Sequence, residues 1–166
     1  PIGAIEGIRN GMRILGHHWP GGGGGGWLAL ASSPSPDGTF DVFARKWRRD
    51  TSFQRIGSCP VQYTSLSVFT DLPTQGTRIL GLTEEGRIDE IDPDTFLAVS
   101  SFDLPTATRQ GWHGMDAVFG AGGRSLLMGN LELDALLVLD LDTRALTPFL
   151  EIPGASGALA IDAWSI

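Results

Sequence analysis

The chain has one cysteine, Cys59, and one lysine, Lys46, among its 166 residues. A single cysteine excludes an intrachain disulfide and any zinc site built on several thiolates. Long helical runs are missing as well. Twenty-three glycines and ten prolines interrupt the sequence, and both are costly inside helices but useful in tight turns between short strands. No apolar run approaches the ~18 residues that a helix needs to cross a bilayer. No secretory leader is visible in a sequence that opens at Pro1. Positive charge is scarce too: 19 acidic residues against 12 basic ones leave a net charge of −7. That balance lacks the basic footprint which nucleic acid or an anionic membrane surface requires. The one basic cluster, Arg45-Lys46-Trp47-Arg48-Arg49, reads as a solvated hairpin tip. The expectation is a soluble protein with no nucleic-acid or membrane partner, its compartment left open.

What is present is a globular composition, 42% apolar and 19% charged, and an internal repeat. A shift of 48 positions lays Ile88-Asp-Glu-Ile-Asp92-Pro-Asp94-Thr95 on Leu136-Leu-Val-Leu-Asp140-Leu-Asp142-Thr143 without a gap. The match continues from Phe102-Asp-Leu-Pro105 to Leu150-Glu-Ile-Pro153, and backwards from Ile79-Leu-Gly81 to Leu127-Met-Gly129. A weaker copy lies at Thr39-Phe-Asp-Val-Phe43, where Ala44 and Trp47 replace Asp92 and Thr95.

Each unit reads as strands joined by turns. Strands are expected over Arg78–Leu82, Arg87–Ile91 and Phe96–Phe102, with a fourth near Met115–Phe119 and its equivalent near Leu66–Phe69. The Asp-x-Asp-Thr segment is a turn, because Asp and Thr side chains bond to backbone two or three residues on. Four short strands per 48 residues is the size of a β-propeller blade. The fold class expected is all-β, with propeller-type blades of four-stranded antiparallel sheets. Three to four blades are present in a single domain or fragment, with units at about 27-75, 76-123 and 124-166. Closed propellers usually have about four to eight blades. A fragment, a small ring with one degenerate blade, and a ring completed by another copy all stay open. The run Gly21–Gly26 reads as a flexible loop or an engineered linker.

Two clusters carry chemical potential and are expected in loops: His17-His18-Trp19, and Gly111-Trp112-His113-Gly114-Met115-Asp116. Their histidines and aspartate serve equally as acid–base groups, metal ligands or turn residues. Asn130 interrupts the repeat with a polar side chain where the 48-residue shift brings Leu82. Glu132 matches Glu84 and reads as a turn residue. Tryptophans, Trp27 and Trp112 among them, either pack between blades or line a groove for a glycan or protein. No Gly-x-Ser-x-Gly nucleophile motif occurs, and Cys59 has no neighbouring histidine in the sequence.

The units Gly86-Arg-Ile-Asp-Glu-Ile-Asp-Pro-Asp-Thr95 and Asp134-Ala-Leu-Leu-Val-Leu-Asp-Leu-Asp-Thr143 resemble the blade repeat of SMP-30/gluconolactonase-like, YVTN-type propellers. Ile5-Glu6-Gly7 is similar to that family's first-strand glutamate motif. The resemblance implies a six-bladed propeller seen in part, and a metal-dependent hydrolase of lactonase type acting on a small-molecule substrate. It further implies a divalent ion (calcium, zinc or manganese) in the central channel, with Glu6 and Asn130 at positions like the family's glutamate and one of its asparagines and no match for its other ligands. From the polar residues themselves Asp116 is expected as a third metal ligand, and Asp116 and His113 as catalytic residues. The alternative is a non-catalytic propeller binding a protein or glycan through Trp112, Trp27 and His18. An incomplete ring is expected to self-associate.

Overall fold

The computed structural model describes residues 12–17, 26–31, 34–46, 53–71, 76–105, 111–120 and 123–153. Every regular element among them is a β-strand, and each set of four consecutive strands forms one antiparallel sheet. Sheet A holds β1 (Met12–His17), β2 (Gly26–Ala31), β3 (Phe40–Lys46) and β4 (Gln54–Cys59). Sheet B holds β5 (Ser65–Asp71), β6 (Gly76–Leu82), β7 (Arg87–Ile91) and β8 (Ala98–Asp103). Sheet C holds β9 (Trp112–Gly120), β10 (Gly123–Asn130), β11 (Ala135–Asp140) and β12 (Leu146–Glu151). This is the up-and-down arrangement of propeller blades. The sheets begin one strand earlier than the units read from the sequence, because a repeat has no intrinsic starting point. Gly26 of the glycine run opens β2, and the rest of the run lies outside the described residues.

The 48-residue period reappears in the hydrogen bonds. Asp92 Oδ1 accepts from the N–H of Asp94 and Thr95 at 3.0 and 2.7 Å, and Asp140 Oδ1 from those of Asp142 and Thr143 at 2.9 and 2.7 Å. The residue after each Thr takes positive φ, Phe96 at 58° and Arg144 at 59°. This corrects the expected strand start at Phe96, since β8 begins only at Ala98. The left-handed residue turns the chain back toward the preceding sheet. Phe96 packs so closely on Gly57 of β4 that a Cβ there would lie 2.5 Å from its ring, and Arg144 stacks over Phe102 of β8 at 4.8 Å. Sheets B and C thus each latch onto the outer strand of the sheet before.

The middle hairpins of A and B match as well. Ser35 N–H bonds to Thr39 O, as Thr83 N–H does to Arg87 O, and Gly38 and Gly86 take φ of 83° and 81° inside those turns. Sheet C departs from the period here. Thr83 and Arg87 enclose three residues, 84–86, whereas Asn130 and Ala135 enclose four, 131–134. The longer turn slips β10 by one residue against β11, so Leu126, not Leu127, faces Leu139, where Ile79 faces Ile91 in B. A one-residue slip exchanges the faces of a strand.

Two apolar seams hold the sheets together. Leu30, Val42 and Cys59 of A meet Leu66, Ile79 and Ile91 of B. Leu80, Leu82 and Ile88 of B meet Met115, Leu126, Met128, Leu137 and Leu139 of C. Each such side chain contributes about 1.5–3 kcal/mol when fully buried. The outer strands β8 and β12 are largely exposed.

Two tests follow from the turns. Gly86→Ala places a Cβ 2.7 Å from the Trp112 indole nitrogen in addition to its φ strain, whereas Gly38→Ala meets nothing within 4 Å. In urea unfolding we expect Gly38→Ala to cost about 1 kcal/mol and Gly86→Ala about 1–3 kcal/mol more. Hydrogen bonds, chiefly from the Thr95 and Thr143 N–H groups, hold the carboxyls of Asp92 and Asp140 below their ordinary value of 3.8. Their stabilisation is therefore complete above that value and fades as pH falls through the lowered folded values. The Asp92→Asn/Asp140→Asn variant is expected to lose this part of the acid sensitivity, so its urea midpoint falls less steeply between about pH 5 and 2.

Candidate functional site

The first strands of the three sheets, β1, β5 and β9, lie side by side, with β5 touching both of the others. They are the inner strands around the axis on which the blades converge. The Ser65 hydroxyl joins two of them: it donates to Met115 O at 3.2 Å and accepts the Met115 N–H at 3.1 Å. Both residues are buried, so one side chain replaces part of the ladder that neighbouring blades lack.

His113 and Asp116 both lie on β9: the strand expected near Met115–Phe119 starts already at Trp112 and so takes in the cluster also expected in a loop. Asp116 pairs with Leu127. Gly114 pairs with Gly129 and Trp112 with Asn130, which leaves His113 as the surplus residue of a β-bulge. Bulges re-aim side chains and recur beside active sites. The side chains of His113 and Asp116 lie outside the described residues, as do Glu6, His18 and the side chain of Trp27 on β2.

Trp112 is also on β9, and its ring is completely buried in the B–C seam against Gly86. Of the two readings of Trp112, packing between blades is the one the structure shows. Asn130 is 1% exposed, and its Oδ1 accepts the Leu133 N–H at 3.0 Å. With β10 slipped by one residue, Asn130 is the counterpart of Thr83, whose hydroxyl accepts the Arg87 N–H in the same turn of sheet B. The apparent polar break against Leu82 comes from the gap-free shift. Asn130 Oδ1 thus has a structural role in this turn. Among the described residues no three His, Cys, Asp or Glu side chains converge.

A polar cluster not anticipated from the sequence lies in sheet B. Tyr63, the chain's single tyrosine, comes from the A–B linker and donates its hydroxyl to Asp89 Oδ2 at 2.8 Å. Asp89 is 1% exposed, and the half-exposed Arg87 donates from Nη2 to the same oxygen at 3.0 Å. The Arg87 Nε stands 2.9 Å from Asp89 Oδ1. Burial, then the hydrogen bond to Asp89, pushes the Tyr63 hydroxyl up, so it stays a neutral donor. Gly81 makes room for the ring, since a Cβ there would lie 2.6 Å from it. The repeat carried a signal for this cluster: Asp89 falls on Leu137 under the 48-residue shift. Cys59, beside Tyr63 in the A–B seam, donates to Val61 O at 3.3 Å, and burial pushes its thiol up to about 11. A protonated, buried thiol of this kind is no nucleophile.

Architecture and strand order define the class as propeller-type. Among solved structures the chain is similar to a GH43 glycoside hydrolase engineered to display endo-xylanase and exo-arabinofuranosidase activity. The TM-score is 0.59 at 11% identity, over 90% of this chain and 31% of that one. Apo AztD from Citrobacter koseri gives a TM-score of 0.43 at 12% identity, over 89% of this chain and 48% of that one. At 11% identity the likeness to the GH43 enzyme shows a propeller-type fold and singles out no family within it. The chain spans less than half the length of either neighbour. No protein-family model and no curated protein matches it. No helix among the described residues is long and apolar enough to cross a membrane.

The Tyr63–Asp89 bond is testable by pairwise substitution. Tyr63→Phe leaves a buried carboxylate short of a donor, and Asp89→Leu strands a buried hydroxyl. Each is expected to cost about 1–3 kcal/mol. The double variant, which imitates Leu137 of the sister repeat, is expected to recover most of that loss in urea unfolding.

Proposed function

We propose that the chain contributes blades to a propeller-type hydrolase acting on a small-molecule substrate, with His113 and Asp116 as its acid–base residues. The observation behind this reading is their position: both sit on the inner strand β9, and His113 occupies the bulge. Inner strands border the axial region of a propeller, and a histidine with a carboxylate supplies what hydrolysis needs. One group takes a proton from water and the other returns a proton to the leaving oxygen. The reading routes no step through a metal.

Lactones, from the repeat resemblance, and aryl glycosides, from the fold neighbour, make up the substrate panel. Asp116→Asn and His113→Gln are each expected to lower kcat by about 10²–10⁴-fold, with an unchanged urea midpoint. Glu132→Gln, in an exposed turn, is expected to keep the parent rate. Activity retained in both inner-strand variants would remove the proposal. A rate that vanishes with EDTA and returns with calcium, zinc or manganese would restore the metal-assisted mechanism, with Asp116 and Glu6 as the ligands to test. Burial of Trp112 weighs against the glycan- or protein-binding alternative, which is left with Trp27 and His18.

A further inference from the structure

β9 is the edge strand of sheet C, bonded to β10 on one side and to no strand of its own sheet on the other. Its register against β10 shifts between Gly129 and Asn130, where His113 is the surplus residue. A bulge disrupts the ladder locally, and an edge strand has no second ladder to compensate. The segment 113–116, which carries both proposed acid–base residues, is therefore weakly fixed by its own sheet. Ser65 supplies the missing side. It opens β5, pairs with Leu82 and is buried. Its single hydroxyl engages the N–H and the C=O of Met115 together, at 3.1 and 3.2 Å. Met115 stands two residues after His113 and immediately before Asp116. Its own side chain is buried in the B–C seam. The main chain between the histidine and the aspartate is thus held twice, by a side chain in the apolar seam and by both its polar groups at Ser65.

We propose that Ser65 is a positioning residue, a β5 hydroxyl that fixes the inner strand β9 and with it the placing of His113 and Asp116. The inference rests on the hydrolase reading above. Ser65 acts through the Met115 main chain rather than on a substrate. Without the hydroxyl, two buried main-chain groups of Met115 lose their partner, and the bulged segment is free to shift. Catalytic groups work only within about 0.5 Å of their productive geometry. A misplacement of ~1 Å can cost about 10²-fold in rate.

Steady-state kinetics and amide hydrogen exchange on the whole chain test this. Ser65→Ala is expected to lower kcat about 10–10²-fold, to leave KM near the parent value, and to speed exchange at the Met115 amide but not in β11. In an Asp116→Asn background the same substitution is expected to lower kcat less than about 3-fold, because residues that act as a unit are not additive. A merely stabilising role would lower the urea midpoint and leave kcat of the folded chain alone. Should Ser65→Ala fail to fold, Ser65→Cys, which keeps the shape but donates weakly, carries the test with a smaller loss in the same direction. Thr64→Val removes a neighbouring hydroxyl bond, to Leu82 O at 3.1 Å, and is expected to keep both kcat and Met115 exchange. Unchanged kcat in Ser65→Ala, or an equal loss in the Asp116→Asn background, would overturn the positioning role and leave the hydrolase reading standing. Activity retained in both Asp116→Asn and His113→Gln would remove that reading and this role with it. Unchanged exchange at Met115 would overturn the role without reference to turnover.

Discussion

Each four-stranded sheet of this chain carries apolar side chains on both faces, so neither face is content with water and each depends on a neighbouring sheet. Sheet B shows the requirement met. Its Ile79 and Ile91 press toward A, while Leu80, Leu82 and Ile88 press toward C, all nearly inaccessible. The individual sheets are small, and a lone sheet with two oily faces has no stable alternative to stacking. The turns, latches and buried polar groups are refinements of that stacking. Phe96 and Arg144 reach back to the preceding blade from a left-handed turn residue, and Ser65 bridges inner strands that share no ladder.

The turn Asp-x-Asp-Thr was legible because its chemistry is local. A carboxylate and two N–H groups within three residues fix the bend, so Asp92 and Asp140 could be read directly and recur as expected. Strand content was legible for the same reason, through alternating apolar positions and glycine-marked turns. The site was much less so. Trp112 looks like a loop residue between two glycines, yet β9 extends far enough to draw it into the core. The difference lies in non-local pairing with β10, which no stretch of ten residues records. Asn130 misleads differently: a gap-free alignment matches it to Leu82, and only the register of β10 on β11 shows that its counterpart is Thr83.

The buried Tyr63–Asp89–Arg87 cluster has a different character from the seams around it. Its sister sheet fills the Asp89 position with Leu137, so the fold does not demand a charge there. Replacing a buried ionic group by a well-packed apolar one is often neutral or stabilising. What the cluster does supply is direction. The Tyr63 hydroxyl ties the linker leaving sheet A to β7 of sheet B, and an apolar contact would fix that linker less narrowly.

The four-residue turn between β10 and β11 shows how cheaply repeated blades can diverge. One extra backbone unit in a loop leaves the apolar letters of the neighbouring strand untouched, yet reverses which of them look inward. Met128 thereby comes to fill the place that Gly81 keeps open for a tyrosine ring in the adjacent sheet. Duplicated sheets can therefore acquire unlike interiors through a change in loop length alone, before any core residue is altered. A consensus averaged column by column over such repeats would blend two incompatible interiors into one.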